Sequence, residues 1–136
     1  TLEVIAAGVG PLGNPLVIGL DSKRSDVYIQ VFGPNGQPAS EPTAILPEAV
    51  SLFVGACVAD AKRVLVAGDA ASVVKECLNG DSVVVTTVNA PYPDAAVLAR
   101  LAVARWVPGE PIDRPVPLYL RTPDAVIPRN GGRLRP

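Results

Sequence analysis

What most constrains the fold of this chain is a change of hydrophobic period close to Pro47. Ahead of it the pattern has a period of two. Leu16 to Leu20 is a short apolar run, Ser22 to Ser25 is polar and turn-forming, and Asp26 to Phe32 alternates, with Val27, Ile29 and Val31 on one side. This reads as an antiparallel hairpin with one face more buried than the other. Gly33-Pro34-Asn35-Gly36 forms the next turn, and a third strand around Ala39 to Ala44 is placed at an edge by Pro38 and Pro42. After Pro47, which suits a first helical turn, Val50, Phe53, Val54, Cys57 and Val58 follow helical spacing. Val64 to Ala67 is then a buried strand. Val73, Val74, Cys77 and Leu78 form an inward helical stripe ended by Asn79-Gly80, and Val83 to Val88 is a β-branched strand. A hairpin followed by strand, helix and strand forces a parallel pair beside antiparallel ones. The expected class is therefore α/β, a mixed sheet with flanking helices.

The ends fit this frame. Thr1 to Gly8 reads as a helix with Leu2, Ile5 and Ala6 on one face and Gly8 as its stop. Asp94 opens a last helix striped by Val97, Leu98, Leu101 and Ala104. A proline-rich connector from Pro108 to Pro117 leads to a short strand or extended arm, Leu118 to Arg121. Trp106 and Tyr119 are expected in the core or at a domain contact.

Composition removes several classes of function. The 136 residues suffice for one domain, and the net charge of −1 excludes a general polyanion binder. No apolar run approaches the ~18–20 residues that span a bilayer, and no secretory leader is visible. The sequence starts at Thr1 and contains no Met, so it reads as a piece of a longer product. Cys57 and Cys77 are too few for a disulfide framework and are expected to be reduced core thiols of a cytosolic protein. Histidine is absent, which removes the commonest general base and metal ligand and every Ser-His or Cys-His pair.

Three places invite chemistry. Asp21-Ser22-Lys23-Arg24-Ser25-Asp26 sets two carboxylates and two cations at one turn. Paired carboxylates can divide acid and base roles, but a solvated turn with self-compensating charges explains the same residues. Gly68-Asp69 makes a tight strand-to-helix turn, with Asp69 as N-cap. Free amides there would suit a phosphate, although Asp69 already fills the anion position. Thr1 could act as an amino-terminal nucleophile, yet Thr1-Leu2-Glu3 ahead of a helix is a capping signal. None of the serines lies in a G-x-S-x-G turn. Gly68 and Asp69 are thus the weak cofactor-binding candidates, with no catalytic and no metal-binding residue. In the tail, Arg121, Arg129, Arg133 and Arg135 outweigh Asp124, a basic arm able to touch nucleic-acid phosphates but without aromatic platforms for bases.

Taken in order, Thr1-Leu2-Glu3, Asp21-Ser22-Lys23-Arg24-Ser25-Asp26-Val27-Tyr28, Val66-Ala67-Gly68-Asp69 and Pro117-Leu118-Tyr119-Leu120-Arg121 resemble the C-terminal half of the TsaB (YeaZ) family. This is the scaffold of bacterial tRNA threonylcarbamoyladenosine synthesis. The resemblance runs from Thr1 to about Val126. It implies a ribonuclease H-like, actin-like ATPase half-domain over residues 1–121 and a proline- and arginine-rich tail over 122–136. Where actin-fold ATPases hold adenosine in a Gly-rich turn, this chain has only Gly68, so the turn looks degenerate and no cofactor is implied. The implied role is non-catalytic, a scaffold supporting a TsaD-like transferase, with a TsaE-like ATPase joining through the full-length protein. The older glycoprotease or peptidase M22 label comes from homology to TsaD. The resemblance also implies a cytoplasmic location; the basic arm itself leaves two readings open, a weak tRNA contact through Arg129, Arg133 and Arg135 or an ordinary solubilising tail. The resemblance leaves a homodimer open, through the apolar surface that would face the absent half. That half carries the family's Asp-Thr-Ser strand and its docking helices, so those functional residues transfer to no position here. The alternative is a nucleotide-binding half-domain of another actin-fold ATPase or kinase.

Overall fold

The computed structural model describes residues 1–58, 61–80, 83–110, 114 and 116–121. Among these, helix α1 (Leu2–Val9) leads into β1 (Leu16–Asp21) and β2 (Val27–Phe32), then the short β3 (Thr43–Ile45). A 3-10 turn at Pro47–Ala49 starts α2 (Val50–Cys57). β4 (Arg63–Ala67), α3 (Ala71–Cys77), β5 (Val84–Thr87) and α4 (Ala95–Arg105) follow. The five strands form one sheet in the order β3-β2-β1-β4-β5. β1 pairs antiparallel with β2, Leu16 facing Phe32 and Asp21 facing Val27, and parallel with β4, Leu16 facing Leu65. β3 is an antiparallel edge on β2, starting later than the Ala39 to Ala44 expected, so that Pro38 and Pro42 precede it, and β5 is a parallel edge on β4. The mixed α/β sheet expected from the change of period is the one observed.

Period-two alternation sends each inner strand's side chains to two cores. Val17, Val27, Ile29, Val31, Val64 and Val66 meet Val50 and Val54 of α2 and Ala71, Val74 and Leu78 at α3. Leu16, Ile18, Phe32, Leu65 and Ala67 meet Leu2, Ile5 and Ala6 of α1 on the opposite face. The central strands are therefore covered on both sides, and on β2 the Val27, Ile29 and Val31 face is the more buried, with Tyr28 partly exposed on the other. β-branched residues fit this position because the stiff χ1 of Val and Ile packs on a pleated surface with little entropy left to lose.

Several local expectations change. α1 passes through Gly8 and stops at Gly10, which takes the left-handed φ of 75°. Gly8 faces α4, where an added Cβ would make ordinary van der Waals contact with Val97 Cγ2 at 3.5 Å. Val73 is exposed on α3, and of the α4 stripe only Val97 is buried while Leu98 is 55% exposed. Trp106 and Tyr119, expected in the core or at a domain contact, are 58% and 77% exposed, which removes the core alternative. Leu118 to Arg121 forms an extended arm outside the sheet. Cys57 and Cys77 are free and half-buried at the rim of the α2–α3 core. Burial, followed by the charge of Glu76, pushes the Cys77 thiol above its ordinary value. No helix among the described residues is long and apolar enough to cross a membrane.

Candidate functional site

The carboxyl ends of the adjacent parallel strands β1 and β4 bring Asp21 and Gly68-Asp69 together. In an open α/β sheet this is where a ligand crevice forms when connections leave in opposite directions, as they do here from β1 to β2 and from β4 to β5. The site is built around two glycines. Gly68 sits at φ 101°, and a Cβ on it would lie 2.0 Å from the carbonyl oxygen of Gly19. Gly19 is equally confined, since its own Cβ would meet Val74 Cγ2 at 2.7 Å. The β4–α3 turn thus passes directly against the β1 backbone; glycine at 68 is what allows the crossing, and glycine at 19 leaves room for Val74 of α3.

That crossing uses up the groups a phosphate would need. The Gly68 amide donates to Ala90 O at 3.1 Å and the Ala70 amide to Gly19 O at 3.2 Å. Asp69 is not the N-cap of α3. Ala70 holds that position without a side-chain cap, and Asp69 Oδ1 instead accepts from the backbone N–H of Asp21 at 2.8 Å. The carboxylate ties the end of β1 to the start of α3.

The hairpin turn separates its two carboxylates into different networks. Lys23, at the left-handed φ of 61°, donates to Asp21 from its backbone N–H and from Nζ, each at 2.7 Å. The Lys23 ammonium, seconded by that amide, holds Asp21 below its ordinary value, and the carboxylate in turn raises Lys23. Ser22 Oγ lies 2.6 Å from both Asp26 Oδ1 and Asp26 O, and accepts from the Arg24 amide at 3.2 Å. Its hydroxyl, then the guanidinium charges of Arg121 and Arg24, hold Asp26 below the ordinary carboxylate range. A divided acid–base mechanism needs one carboxyl kept protonated near the working pH. Both of these are shifted the other way, so the turn is a charge-compensated structure. Beside it, a depression of about 320 Å3 is lined by Asp21, Arg24, Asp26, Pro47, Asp69 and Val73.

Arg121 was grouped with the basic tail on sequence grounds. It is spent on the hairpin instead. Its Nε lies 3.2 Å from Asp26 Oδ2 and its Nη1 3.3 Å from Asp26 Oδ1, the fork geometry of a bidentate guanidinium–carboxylate pair. Asp26 is 8% exposed. The arm that carries Arg121 borders a groove of about 370 Å3, whose far wall is Thr1, Leu2, Leu20 and Tyr28. The hairpin signature and the Pro-Leu-Tyr-Leu-Arg signature, singled out separately in the sequence, are therefore one structural unit. Nothing in residue spacing could reveal that pairing across 95 positions; the only signal was that a buried-strand boundary carried an aspartate and the arm ended in an arginine. Thr1 is the N-cap of α1 by position but makes no side-chain cap, and its carbonyl accepts from Val4 and Ile5. Arg129, Arg133 and Arg135, with the rest of the 122–136 tail, lie outside the described residues. Among the described residues no group of His, Cys, Asp and Glu side chains could hold a metal ion.

The fold matches that of a solved structure described as an uncharacterized protein with similarity to peptidase YEAZ, from Pseudomonas aeruginosa, with a TM-score of 0.58 and 23% identity. The match covers 88% of this chain and 56% of that one, so this chain spans little more than half the length of its neighbour. At that identity the likeness shows the fold, a mixed-sheet α/β domain of ribonuclease H-like type. No family model matches the chain, and no curated protein matches it.

Proposed function

We propose that this chain is the C-terminal lobe of a TsaB-like scaffold, without chemistry of its own, in the assembly that places threonylcarbamoyl on the adenosine beside the tRNA anticodon. One observation carries the reading. The two segments on which the family resemblance rests close on each other through Asp26 and Arg121, in a fold shared with a YEAZ-like neighbour over most of this chain. A motif pair that meets in space has a structural reason to occur together in a sequence, which an accidental pair lacks.

The non-catalytic part of the reading rests on the residues. The chain has no histidine, its two hairpin carboxylates are each held ionised by a neighbour, and at the Gly68 turn the Gly68 amide is engaged with Ala90 O and the Ala70 amide with Gly19 O of β1. The lobe would contribute shape, and its partners would be a TsaD-like transferase and a TsaE-like ATPase, reached through the full-length protein. Cytoplasmic location follows from that role.

The test is a chimera. This chain is fused behind the front lobe of a TsaB-family protein, and transfer of threonylcarbamoyl to tRNA by the matching TsaD is measured. Support of transfer by the chimera, with no transfer by this chain alone, is the expected result. Failure of the chimera to bind TsaD, together with tight ATP binding by this chain in calorimetry, would replace the proposal with a nucleotide-binding actin-fold half-domain.

A further inference from the structure

The arm Val116–Arg121 is attached to the domain in an unusual way. It belongs to no strand, and among the described residues none of its backbone groups bonds to the sheet. Val116, Leu118 and Tyr119 are 84%, 73% and 77% exposed. Among the described residues its hold on the domain is concentrated in two consecutive side chains. Leu120 packs against the core of Leu2, Ile5, Leu16, Ile18 and Phe32, and Arg121 forms the bidentate pair with Asp26. Between arm and domain runs the groove walled by Leu2, Leu20 and Tyr28. An element fixed at one end by one apolar contact and one ion pair has a low local opening energy compared with strands held by continuous ladders.

We propose that Val116–Arg121 is a strap latched by Arg121 on Asp26, which opens and closes over the Leu2–Leu20–Tyr28 groove while the sheet stays folded. The latch half on the hairpin is preorganised. Ser22 Oγ donates to Asp26 Oδ1, the oxygen that also accepts from Arg121 Nη1, and the charges facing the carboxylate are the guanidinium groups of Arg24 and Arg121. The strap half is mobile in the sense that matters, because lifting Arg121 and Leu120 breaks no backbone hydrogen bond among the described residues. The strap forms one wall of the groove, and opening bares the apolar wall opposite it.

Chymotrypsin reads this directly. Cleavage after Tyr119 requires the flanking residues to leave the domain and extend in the protease cleft, so its rate follows the open population when reclosing is fast. Cleavage after Trp106, already exposed, serves as a strap-independent reference, and cleavage after the buried Phe32 reports global unfolding. Asp26→Asn and Arg121→Gln in the full chain should each raise cleavage at Tyr119 relative to Trp106 about tenfold, the scale of losing a charge-assisted bidentate bond. The double variant should add nothing beyond either single one, and Phe32 should stay protected. Arg121→Gln lies outside the sheet, so it keeps the test open even where Asp26→Asn loosens the hairpin. Unchanged cleavage at Tyr119, additive single effects, or cleavage at Phe32 rising in step with Tyr119 in the Arg121→Gln chain would each overturn the latch.

Discussion

At the scale of single residues, two glycines with the same backbone dihedral separate two physical effects. Gly68 and Gly80 both sit at φ 101°. Around Gly80 an added Cβ meets nothing within 4 Å, whereas at Gly68 it collides with the Gly19 carbonyl. Gly80→Ala should therefore cost only the left-handed penalty of about 1–2 kcal/mol. Gly68→Ala should cost more than about 4 kcal/mol, because a backbone atom cannot rotate out of the way. Urea unfolding of the two variants measures the difference. Gly19→Ala should fall between them, at about 1–3 kcal/mol of overpacking against Val74, and Val74→Ala in the same chain should return part of the loss. The sequence pointed to Gly68 as a turn residue and offered an anion site as its use; what it could not supply was the neighbouring Gly19 backbone, 49 positions earlier, which is the reason for the glycine. Asp26 gives a second residue-scale test. Its carboxyl is held below the ordinary value of 3.8, so the folded chain binds the ionised form more tightly than the unfolded chain does. The associated stability is complete above that ordinary value and is lost as pH falls through the lowered one. Thermal unfolding followed from about pH 6 down to about pH 3 should show a decline that begins near pH 4, and Asp26→Asn should flatten that part of the curve.

Among the elements, legibility in the sequence depended on what covers each one. β1, β2 and β4 were readable because both of their faces meet helices, so they are rich in β-branched and other apolar residues and turn signals bound the runs. α2 was readable for the same reason: Val50 and Val54 of its stripe are the buried pair. The stripe of α4 has the same spacing, but a period states which residues share a face and says nothing of whether that face has a partner. Only Val97 is buried there, against Gly8 of α1. β5 lost burial for a related reason, being an edge strand with Val84 57% exposed. α4 is consequently tied to the domain by few contacts, chiefly Val97 and the ion pair of Arg105 with Glu3. Its N-cap then matters more than usual. Asp94 Oδ1 accepts from the Ala96 amide at 2.6 Å, and Asp94→Ala should remove about 1 kcal/mol of helix stability. Because little of α4 is packed, that loss should appear as faster amide exchange within Ala95–Arg105 while exchange in β1 and β4 stays unchanged. Faster exchange throughout the sheet would mean that α4 is an integral part of the cooperative unit.

For the molecule as a whole, the distribution of apolar surface is the main clue to how it is used. One side of the sheet is well covered by α2 and α3. On the α1–α4 side, Leu98, Val103, Trp106 and Val107 stay 55%, 73%, 58% and 49% exposed along α4 and its exit. Scattered exposed apolar residues are ordinary, but a run along one helix end, in a chain that has few aromatics to spare, suits a surface meant to be covered. On the proposed reading, in which this chain is one lobe of a longer scaffold, that face would be uncovered when the chain stands alone. The expected consequence is self-association that depends on that face. Sedimentation of the chain should show association that grows with concentration, and Leu98→Lys with Val103→Lys should abolish it. Both side chains point to solvent, so the pair should leave the unfolding free energy within about 0.5 kcal/mol of the starting chain, the usual range for surface substitutions away from special features. If the chain instead stays monomeric at every concentration, the face is too interrupted to act as an interface. If the lysine pair unfolds it, those residues belong to the core after all, and the packing of α4 on α1 is tighter than its exposure implies.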